Sequence, residues 1–269
     1  MKTAIIAIAR NENPYIREWA EHHLGVGFDK IIICDNGFGD EERPKDALKG
    51  MDGVVDIFDW RDVPHPQKRA YAETYFKVSL DYDWVAFFDI DEFLFIENGG
   101  KVLNFISKFP KDCKLISVNW ETMTDNGLLR YDGRGVMERF TTPMERGKCV
   151  SYGFAENMHT KPMVRGGLGK IEFPGNIHTI KTDSGSYHSN LRQEAPSPFH
   201  KIDYSNARLR HFATKTVEEW CANKVPKGRV DNGGSLEVVK FFKYNKMTNR
   251  KVEIMKSYFP NVEIPHEVR

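Results

Sequence analysis

Trp84-Val85-Ala86-Phe87-Phe88-Asp89-Ile90-Asp91-Glu92-Phe93 decides the fold, because an unbroken apolar run stops abruptly in a string of carboxylates. A run of that length bounded by charge is what a strand buried on both faces of a parallel sheet requires. Upstream, Ala4 to Ala9 and Ile31 to Cys34 are two further short apolar runs, and Val54 to Phe58 reads as a third strand. Between them, Pro14 to Leu24 sets Tyr15, Ile16, Trp19, Ala20 and Leu24 near helical spacing, with Pro14 suited to a first turn. Gln67 to Leu80 likewise brings Tyr71 and Tyr75 to one helical face. Downstream, a helix from about Gly100 to Phe109 and a strand from Leu115 to Trp120 continue the alternation. The pattern predicts an α/β fold, a Rossmann-like and mostly parallel sheet flanked by helices.

Beyond Trp120 the pattern loosens. Strand-like pieces such as Lys161 to Val164 and Ile177 to Ile180 are separated by turn residues. Thr216 to Asn223 and Leu236 to Phe259 then read as terminal helices. The second carries Lys240, Lys243, Lys246, Arg250 and Lys251 around Phe241, Phe242 and Tyr244.

With 39 basic and 38 acidic residues among 269, the net charge of +1 gives no global field to attract nucleic acid. Cys34, Cys113, Cys149 and Cys221 are scattered, lacking both zinc-site spacing and disulfide density, and read as reduced thiols. The apolar stretch Thr3 to Ala9 is too short for a signal peptide and runs into Arg10, Asn11 and Glu12. No apolar run approaches the about 18 residues of a membrane-spanning helix. A cytoplasmic protein is expected.

In an open α/β sheet, ligands bind beyond the carboxyl ends of the strands, where Asp89 and Asp91 stand. Extended residues alternate with period two, so 89 and 91 are expected to project to one side as hard oxygen ligands for Mg²⁺ or Mn²⁺. A bound cation there would leave room for a diphosphate. It would also neutralise the charge that grows on a departing nucleoside diphosphate. Arg10, Asn11 and Glu12 follow strand one, and Asp35 and Asn36 follow strand two, so a base and ribose can be read at the same edge. Asp35-Asn36-Gly37 reads equally as turn chemistry, and Asn11 as a helix cap.

These residues resemble a known group. Arg-Asn-Glu at 10 to 12, Asp-Asn-Gly at 35 to 37, Gln67 and Phe-Asp-Ile-Asp-Glu-Phe at 88 to 93 are similar to the family-2-like and family-92-like glycosyltransferases of GT-A type. The likeness continues through Val-Asn-Trp at 118 to 120, Asp-Asn-Gly at 125 to 127, Glu-Arg-Phe at 138 to 140, Lys161, His178, Arg-His-Phe at 210 to 212 and Lys227-Gly228-Arg229. It implies a GT-A fold, with residues 1–120 as a nucleotide-sugar-binding half, 121–213 as the acceptor-side half of the same domain and 214–269 as a C-terminal helical segment. It further implies a nucleotide diphospho-sugar donor, UDP-sugar in the first instance, and Mn²⁺ or Mg²⁺. The acceptor would be a glycan or lipid-linked glycan, and the usual setting bacterial surface polysaccharide synthesis. Asp89, Asp91 and His211 become the expected metal ligands. Arg10, Asn11, Glu12, Asp35, Asn36, Gln67, Asp89, Ile90, Lys161, Lys227 and Arg229 become the expected donor-binding residues. Many relatives carry a Phe-Gly-Ser-type string where this chain has Met123-Thr124-Asp125-Asn126.

An inverting transfer needs a carboxylate to accept the acceptor's proton, and Asp125 and Glu138 are the candidates. Lys161, Lys227 and Arg229 are candidates for holding the diphosphate, with Gly228 freeing the backbone. The basic, aromatic stretch from Lys240 to Lys251 could touch an anionic membrane or form one solvated helix face. Two other readings compete. A haloacid-dehalogenase-like phosphohydrolase also sets Asp-X-Asp after a buried strand, but near its N-terminus and without Glu-Phe following. A non-catalytic glycan-binding protein would not need convergent carboxylates.

Overall fold

The computed structural model describes residues 1–146, 149–151, 154–228 and 237–264. Within them the strands are β1 (Thr3–Ala9), β2 (Lys30–Asp35), β3 (Val55–Asp59), β4 (Trp84–Phe87), β5 (Glu92–Ile96), β6 (Leu115–Thr122), β7 (Cys149–Ser151), β8 (Phe154–Ala155), β9 (Thr160–Arg165), β10 (Ser186–His188) and β11 (Ala207–His211). One large sheet has the order β3-β2-β1-β4-β9-β6-β11-β5, with β10 also beside β6, while β7 and β8 pair separately. β3, β2, β1 and β4 are parallel. β9 runs antiparallel between β4 and β6, and β5 antiparallel along β11.

All seven residues of β1 are buried. Period two explains how: Ile5, Ala7 and Ala9 join one apolar cluster while Ala4, Ile6 and Ile8 join a second on the opposite face. The first cluster is covered by the helix Asn13–Val26, which buries Tyr15, Ile16, Trp19, Ala20 and His23. That helix ends at Gly27, whose φ of 105° is left-handed and whose N–H reaches the carbonyls of His23 and Leu24. Cys34, Cys113 and Cys221 are buried free thiols. Among the described residues no helix is long and apolar enough to cross a membrane.

His23 is completely buried, and both ring nitrogens are engaged. Nδ1–H donates to the Trp19 carbonyl at 2.9 Å, and Nε2 accepts the Leu94 amide at 3.2 Å. A proton on Nε2 would break the second bond, and burial holds the His23 pKa well below its ordinary value of 6.5. The unfolded chain therefore takes up a proton that the fold refuses. Stability should decline as pH falls below about 6.5, with a slope from this residue approaching about 1.4 kcal/mol per pH unit. Denaturant melts of His23→Gln between pH 7 and pH 5 should show a shallower decline than wild type; equal slopes would remove His23 from the account.

Three expected elements differ. Asp89 and Asp91 do not continue an extended strand: Phe88 to Asp91 is a turn between two strands, because the chain returns at once as β5 and pairs with β11. The segment Ile177 to Ile180 is turn and loop rather than strand, with Ile177 and Ile180 anchored in the second apolar cluster. The C-terminal segment is not one helix. Phe241–Tyr244 and Asn249–Tyr258 are separated at Asn245, whose side chain accepts the Asp125 amide and donates to Thr214 and to the Phe241 carbonyl. Those bonds hold Asn245 extended, at φ −125° and ψ 151°, and end the first helix.

Candidate functional site

A crevice of about 800 Å³ opens beyond the carboxyl ends of β1, β4, β6 and β11, where Arg10, Asp89 to Asp91, Trp120 and His211 line it. Glu12, Gln67, Lys224 and Lys227 also border it. So do Glu156, His159, His178, Phe199, Lys240, Lys243 and Tyr244 from the later half of the chain.

The turn after β4 sends its two aspartates in different directions. Asp89 Oδ1 accepts Gln67 Nε2 and the Tyr71 hydroxyl, both at 2.9 Å, and Oδ2 accepts Lys161 Nζ at 2.8 Å. Lys161 is fully buried and stands 3.4 Å from Glu92, also fully buried. Burial opposes the charge on Lys161, but Asp89 and Glu92 outweigh it and raise its pKa. Burial pushes the Glu92 carboxyl well above the usual range against the pull of Lys161. Trp120 Nε1 donates to the other Glu92 oxygen at 2.9 Å.

Asp91 faces the other way. Lys224 Nζ donates to its Oδ2 at 2.6 Å, and His211 Nε2 lies 3.7 Å from Oδ1. Burial disfavours the Asp91 carboxylate, yet Lys224, His211 and Lys215 together hold its pKa below the usual range. Burial dominates at His211 and drives its pKa down to about 4, so the ring is neutral at physiological pH. Lys224 is delivered by the π-helical turn Trp220–Lys224, which follows a capping box between Thr216 and Glu219. Beside it, Lys227 pairs with Glu12 and donates to the Arg10 carbonyl at 3.2 Å.

The expected metal ligands are thus only partly assembled. No group of three or more His, Cys, Asp or Glu side chains converges on one point among the described residues. Both Asp89 oxygens already accept hydrogen bonds from the protein, which takes Asp89 out of the set. Asp91 and His211 do fit: an ionised carboxylate and a neutral imidazole, adjacent and facing the crevice. Mg²⁺ and Mn²⁺ sites of this kind need only one or two protein donors when phosphate oxygens and water complete the shell. Lys224 would have to leave Asp91 for the ion to enter.

Other expected residues are placed as follows. Gln67, Ile90, Glu12, Arg10 and Lys227 line the crevice, whereas Lys161 lies behind it as the support of Asp89. Arg10 is turned toward Glu41 at 2.9 Å and covers Phe38, and Asn11 sits with it on a smaller neighbouring cleft. Asp35 and Asn36 are buried and shape the chain: Asp35 holds Gly37 and Arg43, and Asn36 holds the carbonyls of Trp60 and Val63. Arg229 lies outside the described residues.

Neither expected base reaches the crevice. Asp125 is buried, with Oδ1 accepting the Gly127 amide at 2.8 Å and Oδ2 paired with Lys251. It fastens a turn to the C-terminal helix. Glu138 is exposed and pairs with Arg134, just before its own short helix, at 3.0 Å. The lysine-rich stretch divides as well. Lys240, Lys243 and Tyr244 line the crevice, while Phe241 and Phe242 are buried in their own cluster.

Lys224, Glu156 and His159 escaped the sequence reading. Lys224 lies one residue past the expected helix, and only a π-helical turn aims it at Asp91. His159 stacks on Trp120 at 4.9 Å between ring centres, and His211 packs on the same indole at 4.1 Å. A lone histidine in sequence carries no sign of such a partner.

Residues 7–229 match glycosyltransferase family 92. A glycosyltransferase family 92 protein of Ricinus communis is 23% identical over 153 residues, which are 54% of this chain and 28% of that protein. One of Arabidopsis thaliana is 26% identical over 88 residues, 32% of this chain and 15% of that protein. The matches span less than a third of the length of either relative. Among solved structures, S. aureus TarS 1–349 in complex with UDP-GlcNAc has a TM-score of 0.38 at 14% identity, covering 61% of this chain and 45% of TarS. The mannosyltransferase PcManGT from Pyrobaculum calidifontis, in complex with GDP-Man and Mn²⁺, has a TM-score of 0.35 at 13% identity, covering 44% and 35%. The family match runs from within β1 to just past Lys227, most of the chain, and takes in Asp91, His211 and Lys224: the chain belongs to glycosyltransferase family 92, the GT-A group that its strand-end motifs resemble.

Proposed function

We propose that this protein transfers a hexose from a nucleotide diphospho-sugar, a UDP-sugar in the first instance, to a hydroxyl of a glycan or lipid-linked glycan in the building of a bacterial surface polysaccharide. One observation carries the reading. An ionised aspartate and a neutral histidine adjoin on a strand-end crevice that is also lined by five lysines, Lys68, Lys224, Lys227, Lys240 and Lys243. A diphosphate needs that combination of a divalent-cation seat and ammonium donors. Asp91 and His211 would hold Mn²⁺ or Mg²⁺, which when bound neutralises charge on the departing diphosphate. Lys224 and Lys227, each now paired with a carboxylate, can turn to phosphate oxygens when donor enters. Lys161, Gln67 and Tyr71 keep Asp89 fixed beneath the site, so that Ile90 and Asp91 are presented in a set geometry. Membership of family 92 supports sugar transfer over phosphate-ester hydrolysis or glycan binding alone.

The test is calorimetric titration of UDP with and without Mn²⁺, followed by a screen of UDP-hexoses for UDP release. Binding strengthened at least ten-fold by Mn²⁺ is expected. Heats indistinguishable from dilution under both conditions would remove uridine nucleotides as donors; equal affinity with and without Mn²⁺ would remove the cation.

A further inference from the structure

The carboxylates that line the crevice are not alike. Glu12 is paired with Lys227, Asp89 with Lys161, Asp91 with Lys224 and Glu237 with Lys240. A carboxylate held by an ammonium is a poor proton acceptor, because the cation favours its ionised form. Glu156 differs. Its Oε1 accepts the Tyr244 hydroxyl at 3.1 Å, and among the described residues its carboxylate is in no ion pair. It stands on the short 3-10 helix Glu156–Met158, between the β7–β8 hairpin and β9. Glu156 is 5% exposed and borders the crevice with His159, Phe199 and Trp120. That wall of rings suits the C–H faces of a sugar; His159 and Phe199 come from the later half of the chain and Trp120 from β6, whereas Asp91 lies on the turn after β4.

We propose that Glu156 is the catalytic base of the transfer reaction, a proposal that rests on the reading of the crevice as a sugar-transfer site. The acceptor hydroxyl oxygen forms a bond to the anomeric carbon as the bond from that carbon to the diphosphate oxygen breaks. The electron pair leaves with the diphosphate, and the hydroxyl proton passes to a Glu156 oxygen. No other reactant is needed. Burial raises the Glu156 pKa above the ordinary 4.5, while His159, the Tyr244 hydroxyl and Lys243 lower it again. Those are the groups that face it from its own helix and from the helix Phe241–Tyr244. A raised pKa makes a carboxylate a stronger base near neutral pH. The base must be ionised to act, so activity is lost as pH falls through that pKa.

Glu156→Gln and Tyr244→Phe separate this role from a structural one. The assay measures UDP release from the UDP-hexose that wild type turns over, across pH 4.5 to 8, with UDP affinity measured by calorimetry in parallel. Glu156→Gln should keep UDP affinity within about two-fold and lose about 10²–10⁴-fold in kcat. Tyr244→Phe should move the acid limb of kcat/KM to higher pH, since the hydroxyl that favours the ionised form is gone. Glu156→Gln within about three-fold of wild type in kcat, with normal UDP affinity, would overturn the base and leave the donor site standing. Equal loss of UDP affinity and turnover would make Glu156 structural and overturn it also. Wild type that binds no UDP would remove the donor site itself.

Discussion

Lys161→Met is expected to destabilise the protein by about 3–5 kcal/mol, the usual cost of removing one partner from a buried ion pair. Its ammonium is the counter-charge of Asp89 at 2.8 Å and lies 3.4 Å from Glu92, and its side chain is wholly buried. Methionine fills the volume but leaves carboxylates facing one another with no cation between them. For a chain of this size the loss should lower the melting temperature by roughly 10 °C. Adding Glu92→Gln should restore part of it, since a neutral amide can accept from Trp120 without needing the missing charge. A melting temperature within about 2 °C of wild type, accompanied by weaker donor binding alone, would return Lys161 to the diphosphate.

The second large effect belongs to Asp91. Asp91→Asn should leave the fold intact, because Lys224 is about one-quarter exposed and can turn to solvent when its partner is neutralised. Turnover should fall by about a thousand-fold, the scale on which preorganised charge at a departing group acts. Steady-state UDP release, with circular dichroism as the control of folding, measures it. A loss smaller than about ten-fold would mean that Asp91 serves Lys224 and not the reaction.

Much of the fold is legible in the sequence because parallel strands buried on both faces leave unbroken apolar runs. β1, β2, β4 and β6 all fall where such runs predict them, within a few residues, and β3, largely exposed and interrupted by Asp56, also falls where it is expected. β5 does not announce itself. Glu92 to Ile96 becomes a strand only by pairing with β11, more than a hundred residues away, and nothing local reports that partner. The same omission misdirects the aspartates. Period-two alternation applies along a strand, whereas Asp89 and Asp91 sit on a turn and diverge. The position of the site was readable, since strand ends are where an open sheet gathers polar groups. The roles of its members were not. Lys161 and Lys227 look alike as sequence, and only burial separates the ammonium beneath Asp89 from the one on the crevice wall. Asp125 and Glu156 differ in the same manner, one fastened to Lys251 and the other bordering open space.

The turn at Trp220–Lys224 also bears on how this protein could change over generations. A π-helical turn holds one residue more than the α-helical turn it replaces, and each residue of an α-helix advances about 100° around the axis. If the same residues wound regularly, each advancing by the α-helical step, Lys224 would be carried around the axis away from Asp91, while the Thr216–Glu219 cap before it kept its bonds. The charge opposite the carboxylate is therefore set by how the chain winds as much as by residue type. A lineage could lose it through a substitution that favours regular winding, without altering any residue of the sheet.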